Sequence, residues 1–63
     1  MNVTLANKIK SARLDRGWSQ ERLAQEAGVS LRTVNQYENG HVAKPNRATL
    51  AAVQRALGME VGS

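Results

Sequence analysis

The sequence predicts an all-α fold, a compact bundle of four helices with a fifth left open. Apolar residues recur at intervals of three and four, as on one side of a helix. Four glycines stand directly after such segments, where a helix is expected to stop: Gly17, Gly28, Gly40 and Gly58. Residues suited to cap the start of a helix stand at the beginning of these segments: Thr4, Ser19, Ser30 and Asn46. This alternation predicts helices over residues 4–16, 20–27, 31–38 and 47–57, within a single domain spanning residues 1–63.

The first predicted helix carries the apolar stripe Leu5, Ile9 and Ala12, which continues to Arg16, with Arg13 at its edge. A solvated face is the simplest interpretation of its cations, which are Lys8, Lys10 and Arg16. Trp18 follows the Gly17 stop and is assigned to packing, because a single tryptophan is more often buried than a ligand contact.

The second and third helices form a helix-turn-helix at residues 20–39. Between them Gly28 supplies the turn, Val29 an apolar plug and Ser30 a cap for the next helix. In such a motif the second helix can lie in the major groove of DNA.

The third helix separates a polar face from an apolar one. At about 100° per residue, Arg32, Thr33 and Gln36 share one donor-rich side. Glu38 falls on the apolar side, where a carboxylate needs a cation. Arg13 is the candidate partner, since a guanidinium can satisfy a carboxylate through two hydrogen bonds; the alternative is two unrelated solvated charges.

Three further positions are expected to meet phosphates. Gln20, at the positive end of the second helix, can donate to a phosphate, although it can also be simply a good helix former. Lys44 and Arg47 lie in and beside the loop that follows the third helix, with no acid between them. His41, the only histidine, has no other metal-ligating residue near it and is expected to be solvated.

The last helix, with Leu50, Val53 and Leu57 on one side, is expected to belong to the core. Met59 and Val61 follow Gly58. They are expected to form a short tail on this domain or on a second copy, or else a frayed end.

Composition narrows the function classes. The chain has 63 residues, a net charge of +4, a pI near 10.4 and no cysteine. Such a charge favours a polyanion as partner, although a basic soluble surface would look the same. Without cysteine, disulfides and thiolate metal sites are excluded, which is compatible with a cytoplasmic setting. No catalytic arrangement, metal site or cofactor motif is expected, and no segment has the length or apolarity of a signal peptide or membrane helix.

The run from Ser19 to Gly40, SQERLAQEAGVSLRTVNQYENG, resembles the phage repressor/Cro-type helix-turn-helix family of transcriptional regulators. The resemblance extends outward to Ile9 and onward through the Ala56-Leu57-Gly58 segment. It implies base reading by Arg32, Thr33 and Gln36, with Leu31 at the tip of the helix. It implies phosphate contacts by Gln20 and Asn39, to which Ser30, Lys44 and Arg47 are added, and it places an Arg–Glu pair at Arg13 and Glu38.

The resemblance further implies double-stranded DNA as partner, and we expect two copies to bind a roughly palindromic operator. Because little chain follows Leu57, we expect a weak homodimer that forms mainly on DNA, or weakly through Met59 and Val61. Arg47 departs from the family, which usually has an apolar residue there. The chain also ends soon after the fourth helix. Two alternatives keep the same fold and use it to bind proteins: a bridging coactivator module and an antitoxin. The polar, basic face of the third helix favours DNA, because a docking face is expected to expose apolar anchors.

Overall fold

The computed structural model describes residues 3–41 and 46–59, with the backbone alone for Val3. Within these residues it has four helices and no strand, which confirms the all-α prediction. They are α1 (Val3–Asp15), α2 (Gln20–Ala27), α3 (Leu31–Glu38) and α4 (Arg47–Ala56). The two helices of the predicted helix-turn-helix have the predicted bounds. The other two each end one residue early, at turns that close on Arg16 and Leu57.

Three of the four predicted caps are present. Ser19, Ser30 and Asn46 each have extended backbone and a side-chain oxygen that accepts from the backbone N–H three residues on. The three distances from nitrogen to oxygen are 3.0, 3.1 and 3.2 Å. The prediction for Thr4 is wrong, because α1 already includes Val3 and a cap must lie outside its helix.

The turn between α2 and α3 has the predicted design. Gly28 has a φ of +70°, in the left-handed region that glycine enters without steric cost. The next backbone N–H, of Val29, donates to the carbonyl of Ala24 at 3.0 Å, which closes the end of α2. The Val29 side chain packs against the core, so the turn is held by both a hydrogen bond and apolar contact.

The core lies where α2 packs against both α3 and α4, while α1 packs against α3. Every helix contributes at least one apolar residue of its predicted stripe, which for α1 is Ile9. The buried apolar residues of this cluster are Ile9, Leu23, Ala24, Val34, Tyr37, Val53 and Leu57. Trp18 packs against the cluster while partly exposed, which confirms its assignment to packing.

Arg13 and Glu38 form a buried ion pair between α1 and the end of α3. Arg13 donates from Nε to Oε2 of Glu38 at 2.6 Å and from Nη2 to Oε1 at 3.0 Å. Its Nη1 donates to the carbonyl of Trp18 at 2.7 Å, so all three guanidinium nitrogens are engaged. The Glu38 side chain is only 2 % exposed. The carboxylate on the apolar side of α3 has therefore drawn a cation into the core rather than being expelled from it.

Arg16 has a structural role, and the interpretation of it as part of a solvated face is wrong. Although exposed, it donates from Nη2 and Nε to the carbonyl of Leu57, at 2.7 and 3.2 Å. This ties the end of α1 to the end of α4. A Cβ added at Gly58 would lie 2.7 Å from Arg16 Nη2, so the glycine leaves room for the guanidinium.

Tyr37 carries its hydroxyl into the protein at the far end of α3. The residue is only 8 % exposed, and burial raises the pKa of its hydroxyl above the usual 10.0. A hydrogen bond with the backbone of Asn46 acts on the pKa in the opposite direction and is the smaller effect. Tyr37 thus links α3 to the residue that caps α4.

No helix in the described part of the chain combines the length and apolarity needed to cross a membrane.

Glu38→Ala is expected to destabilise the fold by about 3 kcal/mol, because it leaves the Arg13 guanidinium buried without its counter-ion. The matched control is Glu26→Ala. It removes the exposed i,i+4 pair with Arg22 and is expected to cost no more than about 0.5 kcal/mol. Urea unfolding followed by circular dichroism measures both losses. Equal losses would show that burial of the Arg13–Glu38 pair contributes nothing.

Tyr37→Phe is expected to change how stability depends on alkaline pH. Since the pKa of the hydroxyl is higher in the folded chain, the unfolded chain releases this proton first. The stabilisation associated with the neutral hydroxyl is therefore complete below about pH 10 and is lost as pH rises through the folded-state pKa. The free-energy difference between wild type and Tyr37→Phe should be constant from about pH 8 to pH 10 and shift against wild type as the pH rises from about 10 to 11. The lysines and arginines are common to both chains, and a constant difference across this range contradicts the expectation.

Candidate nucleic-acid interface

α3 presents one face to the core and the other to solvent. Val34, Tyr37 and Glu38 are buried, and the first two belong to the core cluster. Around the opposite face lie residues that are exposed or partly exposed: Leu31, Arg32, Thr33, Asn35, Gln36 and Asn39. The only acid of the helix is the buried and paired Glu38, so the outward face carries no negative side chain.

Arg32 is exposed in the first turn of α3. Within the described residues it makes no ion pair and no side-chain hydrogen bond, in contrast to the three arginines before it. Arg13 is held by Glu38, Arg16 by the Leu57 carbonyl and Arg22 by Glu26. The five N–H donors of Arg32 therefore remain available to a ligand outside the chain.

Thr33 and Ser30 form a small hydroxyl pair at the start of α3. Their oxygens are 2.8 Å apart, and either can be the donor. Ser30 also accepts from the backbone N–H of Thr33 at 3.1 Å. The Thr33 hydroxyl is thus directed at the cap. When Thr33 is the donor, the Ser30 proton is left for an external acceptor such as a phosphate oxygen.

Gln36 is partly exposed one turn after Arg32, as the helical count predicts, and shares its face. The structure places a further polar residue, Asn35, beside this face, and the sequence analysis did not single it out. Asn35 is exposed, about 60° around the helix from Arg32, and its Oδ1 accepts from Nδ2 of Asn39 at 2.9 Å. Because the Asn35 oxygen is turned toward Asn39, the Asn35 NH₂ group faces away from Asn39. Its angular position beside Arg32 was the signal that could have found it.

Gln20 begins α2 and reaches the buried ion pair. Its Nε2 donates to Oε1 of Glu38 at 3.2 Å, the same oxygen that accepts from Arg13. The amide has a second proton, and this one is free to bind an anion at the start of α2. Gln20 is therefore more than a helix former, since it connects the helix start to the ion pair.

The remaining predicted phosphate contacts are distributed beyond α3. Asn39 is the exposed C-cap of α3, and Arg47 is exposed at the start of α4. Lys44 lies outside the described residues. His41 is exposed, and its backbone N–H donates to the carbonyl of Gln36 at 3.2 Å. Within residues 3–41 and 46–59 no group of three or more His, Cys, Asp and Glu side chains is placed to hold a metal ion.

The predicted tail begins on the domain itself. The backbone N–H of Met59 donates to the carbonyl of Gln54 at 2.8 Å, and its side chain packs against the core. Met59 also lines a shallow open groove along α1, beside Lys8, Ser11 and Asp15. Val61, the other residue assigned to the tail, lies outside the described residues.

The chain is similar to several known proteins. It is 36 % identical to the multiprotein-bridging factor 1 of Schizosaccharomyces pombe over 92 % of its own length and 38 % of that protein. It is 34 % identical to the antitoxin HipB of Escherichia coli over 84 % of its length and 56 % of the antitoxin. A putative helix-turn-helix transcriptional regulatory protein of Halorubrum lacusprofundi is 64 % identical over 32 residues, which are 51 % of this chain and 10 % of that protein.

The chain thus spans well under two thirds of the length of these relatives. No solved structure gives a significant match. A family model described as helix-turn-helix matches residues 9–62, which include all of α2, α3 and α4. By this match, and by the turn, caps and ion pair described above, the chain belongs to the helix-turn-helix family, in the repressor/Cro-type group that its sequence resembles.

Proposed function

We propose that this domain binds double-stranded DNA sequence-specifically as part of a small transcriptional regulator, with α3 lying in the major groove. The observation that carries the proposal is Arg32, an exposed arginine in the first turn of α3 that has no intramolecular partner among the described residues. An arginine in that position can donate two hydrogen bonds to the O6 and N7 atoms of a guanine.

The dimensions of α3 support this placement. With its side chains an α-helix is about 10–12 Å in diameter, which fits the width of about 12 Å of the major groove. The outward face combines the guanidinium of Arg32 with the amides of Gln36 and Asn35 and carries no acid. Gln36 can pair with the N6 and N7 atoms of an adenine, while Asn35 offers donors alone.

Backbone contacts are supplied from both ends of the motif. Gln20 has one amide proton to spare beyond its bond to Glu38, at the positive end of α2. Asn39 likewise has a second amide proton beyond its bond to Asn35. Arg47, exposed at the start of α4, adds a charge. Such contacts set the position of the domain on the duplex without reading its sequence.

The site is proposed to be roughly palindromic, bound by two copies with half-sites about 10 bp apart. Association of the copies is proposed to occur mainly on DNA. No catalytic role is proposed, because the arrangement described is one of donors and cations for binding. Sedimentation of the chain with and without a two-site duplex tests the assembly, and a tight dimer without DNA contradicts it.

A second candidate function is protein docking by the same fold. Two relatives are named a bridging factor and an antitoxin, and α3 begins with an exposed leucine, Leu31. The rest of the face is polar, and its one cation, Arg32, has no partner among the described residues, which favours DNA over this candidate. Binding to random duplex DNA across a salt series separates the two. Affinity that falls steeply with salt supports DNA as the partner, and absence of binding at low salt supports docking.

Arg32→Ala is expected to weaken binding to the preferred site by about 10- to 100-fold and to abolish the preference at one base pair, because a bidentate guanine contact is lost. Arg55→Ala is the charge-matched control. Arg55 is exposed in the last turn of α4, at the opposite end of that helix from Arg47, and its loss should matter little. Fluorescence anisotropy against the preferred and a scrambled duplex measures both.

If Arg32→Ala weakens the preferred and the scrambled duplex equally, Arg32 contacts only phosphate. Lys44→Ala serves as the comparison for that outcome. If Lys44 contacts only phosphate, as the sequence predicts, its removal should lower all affinities equally and reduce the salt dependence by about one phosphate contact. If neither substitution changes binding, α3 does not face DNA and the proposal fails.

Thr33→Val is expected to keep the sequence preference, because the hydroxyl that it removes is directed at Ser30 rather than outward. The cost is a small loss of stability at the start of α3, about 1 kcal/mol or less. Thr33→Ser, which retains the hydroxyl, is the matched control. A preference that is lost with valine and retained with serine, measured by competition between duplexes, would show instead that this hydroxyl reads a base.

A further inference from the structure

Leu31 is an apolar side chain that the fold does not use. It is the first residue of α3 and is 47 % exposed. Leu14, on α1, is the other large apolar side chain exposed in the described part of the chain. Leu31 belongs neither to the buried core cluster nor to the partly buried residues packed against it. Among the described residues its side chain is therefore left accessible to a group outside this domain.

The surroundings of Leu31 are those of an isolated apolar group. Arg32 follows it in the chain, and Asn35 lies one turn later at about 40° around the helix; both are polar and exposed. The cap residue before it, Ser30, is also exposed. Sites of protein docking cluster several apolar or aromatic anchors around a dry centre. A lone leucine beside an unpaired arginine does not have that composition.

The major groove has one apolar feature that such a residue matches. Base edges there present hydrogen-bond donors and acceptors, except for the C5-methyl group of thymine. With α3 in the groove, its first turn faces the base edges, so Leu31 and Arg32 meet neighbouring positions.

We infer that Leu31 is a specificity-determining residue that selects a thymine through its C5-methyl group, beside the guanine contacted by Arg32. This rests on the proposed function and adds the chemistry of one read position. The half-site then contains at least one thymine whose methyl group, rather than its hydrogen-bonding edge, is recognised. Loss of that methyl group removes a contact without altering any donor or acceptor of the duplex.

The experiment uses this property. Preferred duplexes are selected from a random pool with the full chain, and each thymine of the half-site is then replaced in turn by deoxyuridine, which lacks only the methyl group. One replacement is expected to lower the affinity of the wild type about fourfold, the factor that follows from the burial of one methyl-sized apolar group. Leu31→Ala should bind the thymine and the deoxyuridine duplex equally well. Leu14→Ala, which alters the other exposed leucine, should keep the fourfold difference.

The outcomes separate the inference from the function on which it rests. A selected half-site without thymine, or a wild type indifferent to every replacement, overturns the inference and leaves DNA binding intact. The inference is also overturned if Leu31→Ala loses as much affinity as the wild type when thymine is replaced by deoxyuridine, because another group then contacts the methyl. If the wild type binds no duplex, the proposed function itself fails, and Leu31 becomes available as a protein anchor. Circular dichroism of Leu31→Ala establishes that the variant is folded.

Discussion

The buried pair of Arg13 and Glu38 is the interaction on which the rest of the structure depends. The Glu38 carboxylate, at the end of α3, accepts hydrogen bonds from two other helices: from the Arg13 guanidinium of α1 and from the Gln20 amide at the start of α2. The remaining guanidinium nitrogen holds the Trp18 carbonyl before α2. A core with few aromatic residues has little area to orient short helices, and a directional ion pair supplies the orientation that apolar contact alone leaves loose. The angle between α2 and α3, and hence the direction of the outward face of α3, depends on it.

The arginines of the chain divide according to their partners. Those at 13, 16 and 22 are held by a carboxylate or a carbonyl, whereas those at 32, 47 and 55 have no such partner among the described residues. The net charge of the chain is therefore a weak argument for binding a polyanion, because three of the positive side chains already have partners within the molecule. What favours a polyanion at α3 is a cation left uncompensated on a face without acids.

The elements that could be predicted from sequence are those with local causes. α2, α3 and their turn follow from Ser19, Gly28 and Ser30, each of which acts within three or four residues of its own position. The Arg13–Glu38 pair was predictable over 25 residues only because a carboxylate stood on an apolar stripe, where it required a cation. The bond from Arg16 to the Leu57 carbonyl had no such signal. It spans 41 residues, its acceptor is backbone, and it depends on how α1 and α4 are placed relative to each other. The place of Asn35 on the outward face of α3 could have been predicted from its angular position. The orientation of its amide could not, because it is set by another exposed side chain, Asn39.

The position of Trp18 has a spectroscopic consequence. It is the only tryptophan in the chain, and two guanidinium groups lie over its ring, with the carbon atoms of Arg16 and Arg22 at 5.3 and 5.4 Å from the ring centre. Cations at that distance perturb the excited state of an indole, and both are removed when the chain unfolds. Its emission is therefore an intrinsic, label-free reporter of the junction between α1 and α2. Because the indole is not on α3, this reporter follows the integrity of the scaffold separately from events at α3.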